Sequence, residues 1–374
     1  MDFMFTRVYI NGNEQRRELN LKISEDLVVR SRAPLRISFA GGGTELLPFI
    51  QNYGGMVISS TISRYAYTTV RWLPDSKETK FLALDLGKET KIAHKNNALE
   101  KRGTLDSGLQ LHEAILSEFI YRYDIKLQIP IEISTYSDAP AGSGLGSSST
   151  LTVSIIKAIA LFFGIPLKED EVAKFAYYVE RNKLGFAGGL QDHYSAIYGG
   201  LNYINFLKNG KVIVNQLRLS VAQRAEFESW LLMIYSGLSR NSGEVIEKQI
   251  KQIVDGDTKT IERLLKIKSY AKQIKNLIMT EDFEGVGELM HESWLEKRSI
   301  TNQISNSSID ELYTTARGYG ALGGKLSGAG GGGYLMLMCS PEKKPYLFSQ
   351  ISKEGIYRAE NVYLSNENAI AWKI

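Results

Sequence analysis

Residues 140–149 read Pro-Ala-Gly-Ser-Gly-Leu-Gly-Ser-Ser-Ser and run straight into the apolar stretch 151–163, which Gly164 stops and Pro166 follows. Upstream, Ile129, Ile131 and Ile133 alternate with other residues, the period of a half-buried strand. The segment therefore predicts strand, glycine loop and buried helix in succession. Glycines let the backbone come close to a ligand and take positive φ angles. Free N–H groups at the start of the next helix carry partial positive charge and favour an anion. A triphosphate suits this arrangement, and the serine hydroxyls add contacts to phosphate or to a phosphate-bound metal. The run lacks the Gly-Lys-Ser/Thr of a Walker loop. It also fails the dinucleotide fingerprint, because Ser147 stands where the last glycine is required. A flexible linker is the competing reading, but linkers rarely join a strand to a strongly apolar helix.

The rest of the chain sets the frame. With 374 residues, 43% of them hydrophobic, it is long enough for two domains. Lys plus Arg number 45 against 41 Asp plus Glu, and no block of like charge stands out, which argues against a nucleic-acid partner. Cys339 is the sole cysteine, so an intrachain disulfide framework is excluded. The first residues have no apolar core of a secretory signal, and Lys157 interrupts the most apolar stretch short of the roughly 18–20 residues of a span. A soluble, cytoplasmic protein without membrane partners is expected, with monomer and homodimer both open.

Residues 1–27 read as an extension with a hairpin turn at Asn11-Gly12. A first domain is expected over 28–215 and a second over 216–374, divided near the turn at Asn209-Gly210. In the first, residues 168–181 read as a helix. In the second, Val245, Ile246, Ile250 and Ile253 share a helical face, and so do Leu264, Ile267, Ala271 and Ile274, then Phe283, Val286, Met290 and Trp294. Ser308 and Glu311 suggest a capping box.

Three ordered motifs carry a resemblance to the GHMP kinases. Pro140–Ser148 resembles the family's phosphate loop. Arg32-Ala33-Pro34-Leu35-Arg36 leading to Ala40-Gly41-Gly42-Gly43-Thr44-Glu45 is similar to the first motif, and Lys325-Leu326-Ser327-Gly328-Ala329-Gly330 to the third. The similarity spans roughly 28 to 340. Gly188-Gly189-Leu190-Gln191-Asp192 and Tyr235-Ser236-Gly237-Leu238-Ser239-Arg240 further resemble the branch acting on heptose phosphates. One departure is Glu45, where heptose and fucose kinases of this type usually have Asp.

The resemblance implies an α/β fold of two domains, the first holding the phosphate loop, the second α+β, with the active site in the cleft between them. It implies ATP and Mg²⁺ as cofactors and a sugar or sugar phosphate as substrate. The expected reaction is phosphorylation of a hydroxyl, foremost the anomeric hydroxyl of a heptose 7-phosphate. Fucose, galactose or another higher sugar is the alternative, and a nucleotide- or sugar-binding protein without turnover a second one.

Roles follow residue by residue. The nucleotide falls to Pro140, Gly142, Ser143, Gly144, Leu145, Gly146, Ser147 and Ser148. The metal falls to Ser148 and Glu180, since Mg²⁺ takes oxygen ligands and keeps several waters. Asp192 is the expected base, Arg36 its partner or a charge neutraliser. The substrate falls to Gly42, Gly43, Thr44, Glu45, Gly189, Gln191, Gly328, Ala329 and Gly330, with Arg240 against a phosphate already on the sugar. An N-cap role for Asp192 and a solvated-helix role for Glu180 are the competing readings.

Overall fold

In the computed structural model, which describes residues 3–12, 15–24, 26–95, 98–99, 108–127, 129–237, 242–353 and 357–374, strands β1 (Phe3–Gly12) and β2 (Gln15–Ser24) form an antiparallel hairpin. Gly12 pairs with Gln15. Pairing thus continues through Asn11 and Gly12, and they are strand residues, not the expected turn.

The first sheet is built around one long strand. β3 (Val28–Ala40) runs antiparallel along β4 (Gly55–Trp72), from Val28 opposite Arg71 to Ala40 opposite Ile58. β5 (Glu78–Ala83), β6 (Lys88–Lys95) and β7 (Ala98–Leu99) follow, then β8 (Ile131–Ser137), β9 (Leu201–Phe206) and β10 (Val212–Gln216). On its other edge β4 pairs with β9 through residues 55–60 and with β8 through 66–72. β11 (Leu231–Tyr235), β12 (Ala321–Leu326), β13 (Tyr334–Cys339) and β14 (Arg358–Asn361) make the second sheet, in the order β12-β13-β11-β14. β15 (Ile370–Lys373) returns to the first sheet and pairs with β3.

Helices cover both sheets. In chain order they are α1 (Leu47–Tyr53), α2 (Gln110–Tyr123), α3 (Ser147–Phe162), α4 (Glu169–Tyr177), α5 (Gln191–Tyr198) and α6 (Val221–Trp230). α7 (Ser242–Val254), α8 (Thr258–Met279), α9 (Phe283–Arg298), α10 (Ser307–Gly318) and α11 (Lys344–Lys353) complete them. α3 is largely buried: Val153, Ile155, Ile156, Ile159 and Phe162 are all within 1% of full burial. Each such side chain contributes roughly 1.5–3 kcal/mol, enough to fix the helix that presents the glycine loop.

The predicted apolar faces of α8 and α9 are buried, and Leu35, Ile37 and Phe39 of β3 share a core cluster with Ile274, Met233 and Met336. That shared cluster joins the two sheets beneath the cleft. Two local expectations are corrected. The helix expected over 168–181 stops at Tyr177 and continues as a π-helix, Tyr178–Lys183, closed by the Leu184 N–H on the Val179 carbonyl at 3.0 Å. The wider turn carries Val179 and Glu180 inward together. Asn306, not Ser308, caps α10, its side chain accepting from the Ile309 N–H at 3.0 Å. Ser308 lies inside the first turn, where no cap is needed.

Candidate active site

The glycine loop meets α3 as the sequence expects. Gly142, Gly144 and Gly146 each take φ +77°, and among the described residues no side chain caps the helix, so its first N–H groups are left for an anion. The loop is fixed from both sides. The Arg36 N–H donates to the Leu145 carbonyl at 3.1 Å, and the Tyr334 N–H to the Ser143 carbonyl at 2.9 Å. A Cβ at position 144 would lie 2.3 Å from the Ser327 carbonyl oxygen, so a glycine there is a condition for the two glycine loops to touch.

Beside the loop, Arg36 reaches Asp192: Nε donates at 2.8 Å, and a terminal nitrogen stands 2.7 Å away, both to Oδ1. The other terminal nitrogen donates to the Gly144 carbonyl at 2.5 Å. Asp192 is the second residue of α5 and Leu190 precedes the helix, so Asp192 does not serve as its N-cap. Glu180 is wholly buried. Ser148 Oγ and Ser149 Oγ each donate to it at 2.7 Å, and His193 Nε2 contacts Oε2 closely. Burial opposes its charge, but His193, Arg181 and the Ser149 hydroxyl outweigh burial and hold the carboxyl well below the usual carboxylate range. An anionic oxygen 2.7 Å from the Ser148 hydroxyl is a donor set that fits a hard divalent cation.

Facing these groups is Glu45, whose extra methylene lets the carboxylate fold back to accept from the Gly43 N–H at 2.6 Å. Burial raises its pKa, opposed by Lys297. A Cβ at Gly189 would lie 2.3 Å from Glu45 Cγ, so the two motifs interlock. Sequence reasoning assigned no role to three further residues here: Lys297, Lys325 and Gln249. Lys297 Nζ donates to Gln249 Oε1 at 2.8 Å, and Lys325 Nζ to the Ser38 carbonyl at 3.3 Å. Burial lowers both ammonium pKa values, Lys297 to about 8 and Lys325 to about 7, the latter helped by Arg36. The available signal was periodicity: Lys297 extends the apolar stripe Phe283, Val286, Met290, Trp294 of α9.

All of this opens on one cavity of about 700 Å³. Its wall includes Arg36, Gly42, Gly43, Glu45, Asp192, Gly189 and Gln191, the loop residues Gly142, Ser143, Gly144, Gly146, Ser147 and Ser148, Glu180, and Gly328, Ala329 and Gly330. Three expected residues do not reach the wall. Leu145 is buried in the core. The Thr44 hydroxyl turns inward to the Gly41 and Met56 carbonyls at 2.8 and 2.9 Å, where it ties the first motif's turn. Pro140 opens the loop, its carbonyl accepting from the Ser143 N–H at 3.1 Å. Arg240 lies outside the described residues.

Residues 111–200 match the GHMP kinases N terminal domain, and residues 270–356 match GHMP kinases C terminal. The chain is similar to the D-glycero-alpha-D-manno-heptose 7-phosphate kinase of Campylobacter jejuni, with 34% identity over 92% of this chain and 99% of that protein. It is also similar to the crystal structure of a D-glycero-D-manno-heptose 1-phosphate kinase from Bacteroides thetaiotaomicron, with TM-score 0.76, 31% identity, and coverage of 92% and 99%. A bifunctional fucokinase/GDP-fucose pyrophosphorylase of Arabidopsis thaliana is 23% identical over 83% of this chain but 30% of its own length. Among the described residues, no helix is long and apolar enough to cross a membrane.

Proposed function

The chain belongs to the GHMP kinases and is a sugar kinase, and from that premise we propose that it transfers the γ-phosphoryl group of ATP to the anomeric hydroxyl of D-glycero-D-manno-heptose 7-phosphate, giving the 1,7-bisphosphate. The observation that carries the reading is the position of Asp192. A Cβ at Gly146 would lie 3.3 Å from its Oδ2, so the carboxylate stands at the mouth of the uncapped α3, beside the wall shared with Glu45.

In this reading residues 28–215 supply the nucleotide cradle and the base, and residues 216–374 close the far wall. The α3 N–H groups hold phosphate oxygens. Asp192, oriented by Arg36, accepts the proton of the attacking hydroxyl as the new O–P bond forms and the bond to the ADP oxygen breaks. In the same reading Arg36 neutralises charge that accumulates on the transferred group. Ser148 and Glu180 would hold Mg²⁺, which neutralises charge on the β- and γ-phosphates when bound. Glu45 and Gln191 face the acceptor.

The test is ADP release across a panel of sugars with and without a terminal phosphate, with the product's phosphate mapped by phosphorus NMR. Transfer to the anomeric oxygen of the heptose phosphate is expected. Transfer to fucose or galactose alone would replace the substrate while keeping the kinase. ATP binding without transfer to any sugar would overturn the reading.

A further inference from the structure

The mechanism leaves part of the cavity unused. Lys297 is 5% exposed and Gln249 is 1% exposed, and both line the cavity wall. An ammonium has three protons to donate. Among the described residues, the hydrogen bond of Lys297 goes to Gln249 Oε1, a neutral acceptor. Among the described residues, Gln249 Nε2 has no hydrogen-bond partner. Glu45, whose charge acts on Lys297, spends Oε2 on the Gly43 N–H. A buried cation held by a neutral amide is costly, and a ligand anion would offset that cost.

The place of these donors is also specific. They stand on α9 and α7, against Gly43, where a Cβ would lie 2.8 Å from Lys297 Nζ and 3.3 Å from Gln249 Oε1. The phosphate loop has other neighbours: Arg36, Asp192 and Ser327. The absence of a side chain at Gly43 leaves the cation open to the cavity on the Glu45 side.

We infer that Lys297 and Gln249 form a second anion subsite, built for a phosphate monoester already carried by the acceptor sugar, and that they decide between phosphorylated and unphosphorylated sugars. The inference rests on the sugar-kinase reading above and deepens it. A phosphate dianion accepts from both the ammonium and the free amide N–H, whereas a sugar hydroxyl leaves the charge unmatched. The lowering of the Lys297 pKa by burial agrees, since an arriving dianion would favour the charged form.

The test compares steady-state kinetics of the wild-type full chain, Lys297→Met and Gln249→Glu, with D-glycero-D-manno-heptose 7-phosphate and with the unphosphorylated heptose. Gln249→Glu gives Lys297 an ion-pair partner while repelling a dianion, so it answers the question even if Lys297→Met does not fold. The wild type is expected to prefer the phosphorylated sugar, and each variant to raise its KM for that sugar by about 100-fold, with the KM for ATP moving less than about twofold. A parallel rise in the KM for ATP would assign the anion to the nucleotide and overturn the inference. Equal kcat/KM of the wild type for the two heptoses would overturn it while leaving the kinase intact. No transfer to any sugar would overturn the kinase reading itself.

Discussion

Arg36 binds Asp192 through one oxygen: both of its contacts, at 2.8 and 2.7 Å, go to Oδ1. Oδ2 is left on the Gly146 side, 3.3 Å from where a Cβ of that residue would stand. The pair thus separates the oxygen that is held from the oxygen that faces the phosphate loop, which is what a proton acceptor beside an attacking hydroxyl requires.

Asp192→Asn keeps the shape and removes the basic oxygen. It is expected to lower kcat by about 10²–10⁴-fold while the KM for ATP is unchanged. Undiminished turnover in a coupled ADP assay would remove Asp192 from the chemistry.

Glu180→Gln leaves Ser148, Ser149 and His193 around a neutral amide. Losing one member of a buried charged network costs about 3–5 kcal/mol, read as a drop in Tm at neutral pH. The depressed pKa fixes the sign of the pH effect. In the unfolded chain the carboxyl titrates near 4.5 and in the fold lower. Its stabilisation is therefore complete above 4.5 and lost as pH falls through the folded value. The variant should lose less stability on acidification than the wild type; an identical acid limb would contradict the network.

Lys325 behaves oppositely to a paired lysine. Its ammonium titrates at 10.5 when unfolded and at about 7 in the fold, where burial and the Arg36 and Lys297 charges act on it. Between those values the unfolded chain binds a proton that the fold has given up, so stability rises with pH across the window and is lost as pH falls. Lys325→Met is expected to raise Tm at neutral pH and to flatten the rise toward alkaline pH. The buried tyrosines Tyr194 and Tyr313 are shifted upward and titrate above this window. A Tm that climbs equally in both proteins from pH 7 to about 9.5 would contradict it.

Gly144→Ala meets both a left-handed φ of +77° and the Ser327 carbonyl at 2.3 Å. The conformational part alone is worth about 1–2 kcal/mol, and the contact adds to it. Lower Tm and a raised KM for ATP are expected; a neutral outcome in both would mean that the loops are not in contact.

Much of this site was legible in the sequence because its parts are local. The glycine loop and buried helix lie within about two dozen residues, and Asp192 comes three residues after Gly189. Lys297 and Gln249 were not legible, because β3, α7 and α9 bring them to Gly43 from far along the chain. Their trace is weak: a lysine in register with an apolar stripe reads as a snorkelling residue until its surroundings are known. Glu180 was legible as a carboxylate near a helix end, but the π-turn that swings it inward has no plain sequence signature. The turn at Asn11-Gly12 was misread because pairing in β1 and β2 outran a strong local turn preference.

The tie between Ser143 and Tyr334 has a mechanical consequence. Because the glycine loop of residues 142–146 is hydrogen-bonded to a central strand of the second sheet, it is an anvil and not a flap, and in the proposed reaction the nucleotide comes to it. Any closure over a bound nucleotide would then fall to other walls of the cavity, so that stiffening residues which never touch a phosphate would slow turnover.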